Sequence, residues 1–154
     1  MNIRKIFAVS IVLLMSTQVL FANYAFYRKV ANTFKFYRIP LDEKKMSLTE
    51  NADGSYQFSI ELTSTKRNDF EMPMLVAFIS VGQAINHQKT FAKKKPGYTP
   101  VIPGNTAVTV YIPITRQNTV ISAKATADQV SQLTDGKVDA AGFMRLIKDS
   151  IETL

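Results

Sequence analysis

Two segments of this chain alternate strictly between apolar and polar residues, and that period of two constrains the fold more than any other feature. In Ser55–Thr63, the residues Tyr56, Phe58, Ile60 and Leu62 fall on one side, while Gln57, Ser59, Glu61 and Thr63 fall on the other. In Thr106–Ile114, Val108, Val110, Ile112 and Ile114 face one way and Ala107, Thr109, Tyr111 and Pro113 the other. Successive side chains of a strand point to opposite faces, so each segment reads as a strand with one buried and one wet face. Pro113 has no N–H to donate and marks a strand end or an edge position.

Each alternating segment has a neighbour to pair with. Met46–Glu50, the turn Asn51-Ala52-Asp53-Gly54 and Ser55–Thr63 form a hairpin, because Asp-Gly supplies the positive backbone dihedrals of a tight turn. A second hairpin joins Thr106–Ile114 to Thr119–Ala125 through a turn over Thr115–Asn118, with Ile121, Ala123 and Ala125 alternating with Val120, Ser122 and Lys124.

Between the hairpins the period changes to that of a helix. Met74, Phe78, Val81 and Ile85 line one face, with Leu75, Ile79 and Gly82 beside them and Val76, Ser80, Gln83 and His87 on the more polar side. Asn68 or Asp69 is the expected N-cap, and Pro73 suits the first turn, where its missing N–H costs nothing. Gly82 lowers helix propensity by about 1 kcal/mol relative to Ala, so another element is expected to come close there. Lys93, Lys94 and Lys95, followed by Pro96, Gly97, Tyr98, Pro100, Pro103 and Gly104, read as an irregular surface loop that carries a basic patch.

The C-terminal region shows helix-start signals. Thr126-Ala127-Asp128-Gln129 matches a capping box and opens a short helix to Leu133, which Asp135-Gly136 ends. Asp139 can cap a second helix whose apolar face is Phe143, Leu146, Ile147, Ile151 and Leu154, extended by Met144. The expected fold class is therefore α+β: a four-stranded antiparallel sheet of two hairpins, with a central helix and C-terminal helices packed on it.

The first 22 residues have a different logic. Arg4 and Lys5 precede the apolar run Ile6–Met15, Ser16, Thr17 and Gln18 interrupt it, and Ala22 suits the last position before a cut. That is the layout of a secretory signal peptide over residues 1–22. The alternative is an uncleaved anchor extending to about residue 27, with Tyr24, Phe26 and Tyr27 as an aromatic belt and Arg28 and Lys29 stopping transfer. Either arrangement puts the domain outside the cytoplasm, in the periplasm or held at the inner membrane. The expected organisation is thus a leader or anchor helix, an aromatic and basic N-terminal arm over residues 23–45, and one α+β domain over residues 46–154.

Composition narrows the chemistry. Removing residues 1–22 leaves 132 of the 154 residues, enough for one ordinary core. With no cysteine, the fold has no disulfides, no thiolate metal site and no lipid attached through an N-terminal cysteine. No Asn-x-Ser/Thr acceptor occurs, which fits a bacterial exported protein. His87 is the only histidine, so a histidine relay or histidine metal site has one residue to rest on, and a surface or capping role is expected for it. No G-x-S-x-G elbow surrounds a serine, Asp128, Asp135 and Asp139 lack calcium-loop spacing, and no glycine-rich phosphate loop is present. The expectation is a non-enzyme with no catalytic, cofactor-binding or metal-ligating residues.

What remains is surface. The arm interleaves rings and cations, as Tyr24, Phe26, Tyr27, Arg28 and Lys29 and then Phe34, Lys35, Phe36, Tyr37 and Arg38, and Pro40 closes it. Together with Lys93, Lys94 and Lys95 these residues are the candidate partner surface. The net charge is +7, or +5 without Arg4 and Lys5. The first functional expectation is an exported domain that acts by protein–protein contact, as an accessory subunit of an envelope assembly. The second is a binding module for anionic lipid, lipopolysaccharide or another polyanion. Nucleic acid is not expected as a partner.

Overall fold

The computed structural model describes residues 23–65, 69–113 and 118–154, with only the backbone of Asn118. The leader over residues 1–22, the expected cap Asn68, and Ile114 with the turn residues Thr115, Arg116 and Gln117 lie outside the described residues.

The architecture is α+β in two layers: a mixed five-stranded sheet, with four helices on one of its faces among the described residues. Helix α1 covers residues 23–37. Strands β1 (Met46–Glu50) and β2 (Tyr56–Thr63) follow, then helix α2 (Glu71–Lys94), strands β3 (Asn105–Pro113) and β4 (Asn118–Thr126), helices α3 (Ala127–Thr134) and α4 (Ala140–Ile147), and the short strand β5 (Glu152–Thr153). The strand order is β1-β2-β3-β4-β5.

Both expected hairpins form. Met46 pairs with Ile60 and Glu50 with Tyr56 across the first, and Asn105 pairs with Thr126 across the second. The first turn places Gly54 at φ 79°, and Asp53 accepts hydrogen bonds from the Ser55 amide (2.9 Å) and hydroxyl (2.6 Å). The expected four-stranded antiparallel sheet is corrected in two places. First, β2 and β3 pair in parallel, with Thr63 beside Tyr111. The 24 residues of α2 intervene between them. A helix of that length spans about 36 Å, so it carries the chain back along the sheet before β3 begins, and a strand–helix–strand crossover returns parallel.

Second, the C-terminus is not one continuous helix. α4 ends at Ile147, a 3-10 turn covers Lys148–Ser150, and Glu152–Thr153 joins the edge of β4. The Ser150 hydroxyl oxygen accepts the Lys124 N–H (3.0 Å) and has the carbonyls of Lys124 and Ile147 within 2.7 Å for its proton. Phe143 and Ile147 are buried as expected, but Leu146, though still within α4, is exposed, and Leu154 is exposed because the chain has left the helical register it required.

The N-terminal arm is also corrected, because its first part is helix. Phe26, Val30 and Phe34 recur every four residues and are all at most 1% exposed, and Phe26 meets Phe58 of β2 edge-on with ring centroids 5.0 Å apart. Among the described residues the core thus starts at Phe26, within the expected arm, and not at residue 46. α1 ends in a paired cap, Ile39 N–H to Phe34 O and Arg38 N–H to Lys35 O (both 3.1 Å), with Arg38 at φ 57° where glycine is the usual residue.

α2 is buried on more sides than its sequence pattern implies. Met74, Phe78, Val81 and Ile85 face the core, but Val76 and Ser80, assigned to the polar side, are also buried, since α2 has neighbours in α1, α3 and the sheet. Its N-cap is Phe70 without a side-chain cap bond, so Asp69 does not cap it; the Asp69 carbonyl instead accepts from the Ser64 hydroxyl (2.7 Å). Lys93 and Lys94 belong to the last helical turn, not to a loop, and Lys95 is the C-cap. The α3 capping box on Thr126 and Gln129 and the Asp139 cap of α4 form as the sequence implies.

Candidate functional site

The helical layer divides the residues of the candidate partner surface into two groups. Phe26 and Phe34 face inward and are lost to the core, and Tyr27 is half-buried against Phe58 (5.5 Å). Burial raises the Tyr27 hydroxyl's pKa above its ordinary value, and a hydrogen bond with the Leu48 backbone pulls the other way. The outward side keeps Tyr24, Arg28, Asn32, Lys35 and Phe36, spaced as one exposed face of the helix. Tyr24 is 62% and Phe36 80% exposed. The Arg28 guanidinium lies over the Tyr24 ring (5.8 Å), and Phe36 and Tyr37 meet edge-on (5.3 Å). Lys29 is half-buried, and Tyr37 and Arg38 are exposed at the cap.

Lys93, Lys94 and Lys95 sit at the far end of α2, beside a second group of rings. His87 is exposed and stacks on Phe91 (6.4 Å, 13° between planes), Phe91 meets Tyr98 (4.8 Å), and the Lys95 ammonium lies 5.8 Å over Phe91. Buried Gln88 holds this corner, its carbonyl oxygen accepting from the Tyr98 hydroxyl (2.6 Å) and the Val101 amide (3.3 Å). The proline-rich segment after Lys95 is therefore tied to α2 by a specific pair of bonds.

Two shallow recesses run along the seam of α1 and α2. One, of about 340 Å³, is lined by Lys29, Asn32, Thr33, Phe36 and Gln83, and the other, of about 310 Å³, by Lys29, Gln83, Asn86, His87 and Thr90. The Thr33 hydroxyl to Gln83 bond (2.9 Å) joins the two helices between them. Asn86 is held by Asp135 (3.0 Å).

Charge is segregated on the same layer. No acidic residue occurs from Asn23 through Leu41 or from Met72 through Ala127. α1 and its cap carry Arg28, Lys29, Lys35 and Arg38, and the second half of α2 with its cap carries Lys89, Lys93, Lys94 and Lys95. Among the described residues, the opposite face of the sheet is exposed or half-buried and carries small polar residues, among them Ser47, Thr49, Gln57, Ser59, Thr109 and Ser122.

Sequence reasoning passed over two features of these surfaces. Phe91 and Tyr98 carry no motif, and only the packing around Gln88 brings them together. The Lys45–Glu61 ion pair (3.0 Å) was legible in principle, since the Asp-Gly register that pairs Met46 with Ile60 sets the preceding residue opposite Glu61. Among the described residues, no group of three or more His, Cys, Asp or Glu side chains is placed to hold a metal ion. Likewise, no described helix is long and apolar enough to cross a membrane. No family model matches the chain, and no curated protein or solved structure shows significant similarity to it.

Proposed function

We propose that the chain is an exported domain of the cell envelope that acts by contact with a partner protein and not by covalent chemistry, docking through the outward side of α1 and its cap. The observation that carries this reading is the division of α1: Phe26, Val30 and Phe34 serve the core, while Tyr24, Arg28, Phe36, Tyr37 and Arg38 stand in solvent. Tyr, Phe and Arg are the side chains enriched where protein interfaces are strongest. Arg38 adds to it, because a left-handed backbone costs a non-glycine residue about 1–2 kcal/mol, and an exposed arginine recovers nothing of that from the core.

Export rests on the leader pattern of residues 1–22. A cut after Ala22 leaves every core residue of α1 in the mature chain, the first being Phe26. A periplasmic location follows from cleavage, and attachment to the inner membrane from retention of the leader. N-terminal mass determination of the chain from fractionated cells separates the two.

A second reading, a module for anionic lipid, lipopolysaccharide or another polyanion, is favoured by one specific observation, the acid-free course of α1 and of α2 beyond Glu71. Both readings are tested with the chain bearing Phe36→Ala and Tyr37→Ala. Contact led by these rings predicts loss of the partner from envelope cross-links with little sensitivity to salt. Contact led by the cations predicts retention on anionic vesicles that falls steeply as salt rises, because exposed charges are screened within about 10 Å at 0.1 M salt. Undiminished capture by the double variant removes the first reading.

A further inference from the structure

Away from the helical layer, a cavity of about 600 Å³ opens at the rim of the sheet. It lies where the parallel strands β2 and β3 end, lined by Leu62 and Thr63 from one and Tyr111 and Pro113 from the other. The segment Pro40–Asp42, which leads into β1, forms the opposite wall. A volume of this size falls within the roughly 300–1,000 Å³ of small-molecule sites.

The wall also carries a matched pair of charges. Lys45 Nζ and Glu61 Oε2 are 3.0 Å apart, with side chains 55% and 43% exposed. Tyr111 and Asp42 stand close enough to Lys45 to act on its charge, and the hydrogen bond that Lys45 donates to Glu61 is the main cause that raises its pKa. An ion pair this exposed contributes little to stability, so opening it costs little provided each charge finds a new partner of opposite sign. A ligand carrying both an anionic and a cationic group satisfies that condition, whereas a ligand with one charge leaves either Lys45 or Glu61 unpaired. Pro40, Leu41, Pro113 and the Tyr111 ring offer apolar surface next to the pair.

We infer that this cavity binds a small zwitterion with an apolar side chain, of the chemical class of an α-amino acid, with its carboxylate on Lys45 and its ammonium on Glu61. The apolar walls select the side chain, and the ion pair selects the two charged ends. The inference is independent of the docking face on α1.

The test titrates the ¹⁵N-labelled full chain with four probes and follows the amide signals of Thr63 and Tyr111. The probes are L-leucine, glycine, 4-methylpentanoate and isopentylamine, so that side chain, ammonium and carboxylate are removed one at a time. L-leucine is expected to shift both signals saturably, with each of the other three weaker by about tenfold or more. Glu61→Gln is expected to weaken L-leucine about tenfold with at most a small drop in melting temperature, while Phe36→Ala, on the α1 face, leaves it unaltered. No saturable shift with L-leucine overturns the inference, and so does equal binding of either singly charged analogue.

Discussion

Gly82 of α2 packs against Thr134 of α3 so closely that a Cβ on the glycine would overlap the threonine hydroxyl oxygen and lie 3.0 Å from the Val130 carbonyl. The contact explains why a helix interior keeps a residue that disfavours helix. Gly82→Ala is expected to lose about 1–3 kcal/mol by overpacking, in spite of its better helix propensity. Urea denaturation measures the loss, and adding Thr134→Ala should recover part of it, since the nearest clashing atom is then gone.

The two sides of α1 should separate stability from docking. Phe26 is fully buried and packed on Phe58, so Phe26→Ala is expected to cost about 3–5 kcal/mol. Phe36 is 80% exposed, and Phe36→Ala is expected to stay within about 0.5 kcal/mol of the parent while partner capture falls. Equal destabilisation by the two substitutions would mean that α1 has no free face.

Arg38 sets local comfort against the exposed surface. Arg38→Gly relieves the left-handed backbone and is expected to raise stability by about 1 kcal/mol, read as an upward shift of the thermal midpoint. The same substitution removes a cation beside Phe36 and Tyr37, so docking should weaken as stability rises. A variant that is both more stable and equally competent would show that the arginine is not held there by contact.

Acid and alkali should act on different ends of the first hairpin. Hydrogen bonds from the Ser55 hydroxyl and then from its amide hold the Asp53 carboxyl below its ordinary value of 3.8. The stability linked to it is therefore present above pH 3.8 and is lost as pH falls through the lowered folded-state value. Lys45 is shifted the other way, above 10.5, chiefly by its hydrogen bond to Glu61. Its contribution is complete below that pH and is lost as pH rises through the raised value. Melting curves across pH should show a flatter acid limb in Asp53→Asn and a flatter alkaline limb in Lys45→Gln. Tyr27, raised by burial, keeps part of the alkaline limb in the second variant.

Legibility differed between parts of the site. The exposed ring and cation sequence of α1 was readable as composition, but its division into Phe26 and Phe34 inward and Tyr24 and Phe36 outward needed the helix. The spacing of Phe26, Val30 and Phe34 held that information, hidden beneath an aromatic density that suits an extended arm equally well. Lys93 and Lys94 were legible as a basic patch and not as helix, because the Pro and Gly that follow them signal a loop a few residues early.

By itself the sequence determined what depends on near neighbours. These features are the alternation that chooses a buried face for β2, β3 and β4, the Asp-Gly turn that sets the first hairpin's register, and the Thr126 and Asp139 caps that start α3 and α4. Only the tertiary structure decided which strand lies beside which. Alternation says which side of a strand avoids water but is the same for a parallel and an antiparallel neighbour, so the β2–β3 pairing awaited the path of α2. The return of Glu152–Thr153 to β4 likewise depended on backbone groups left open at a distant edge, where Thr153 meets Ile121 at a sequence separation of 32. Local hydrogen bonding and side-chain period are written in adjacent residues, whereas the burial that joins Phe26 to Phe58 exists only once distant segments share one core.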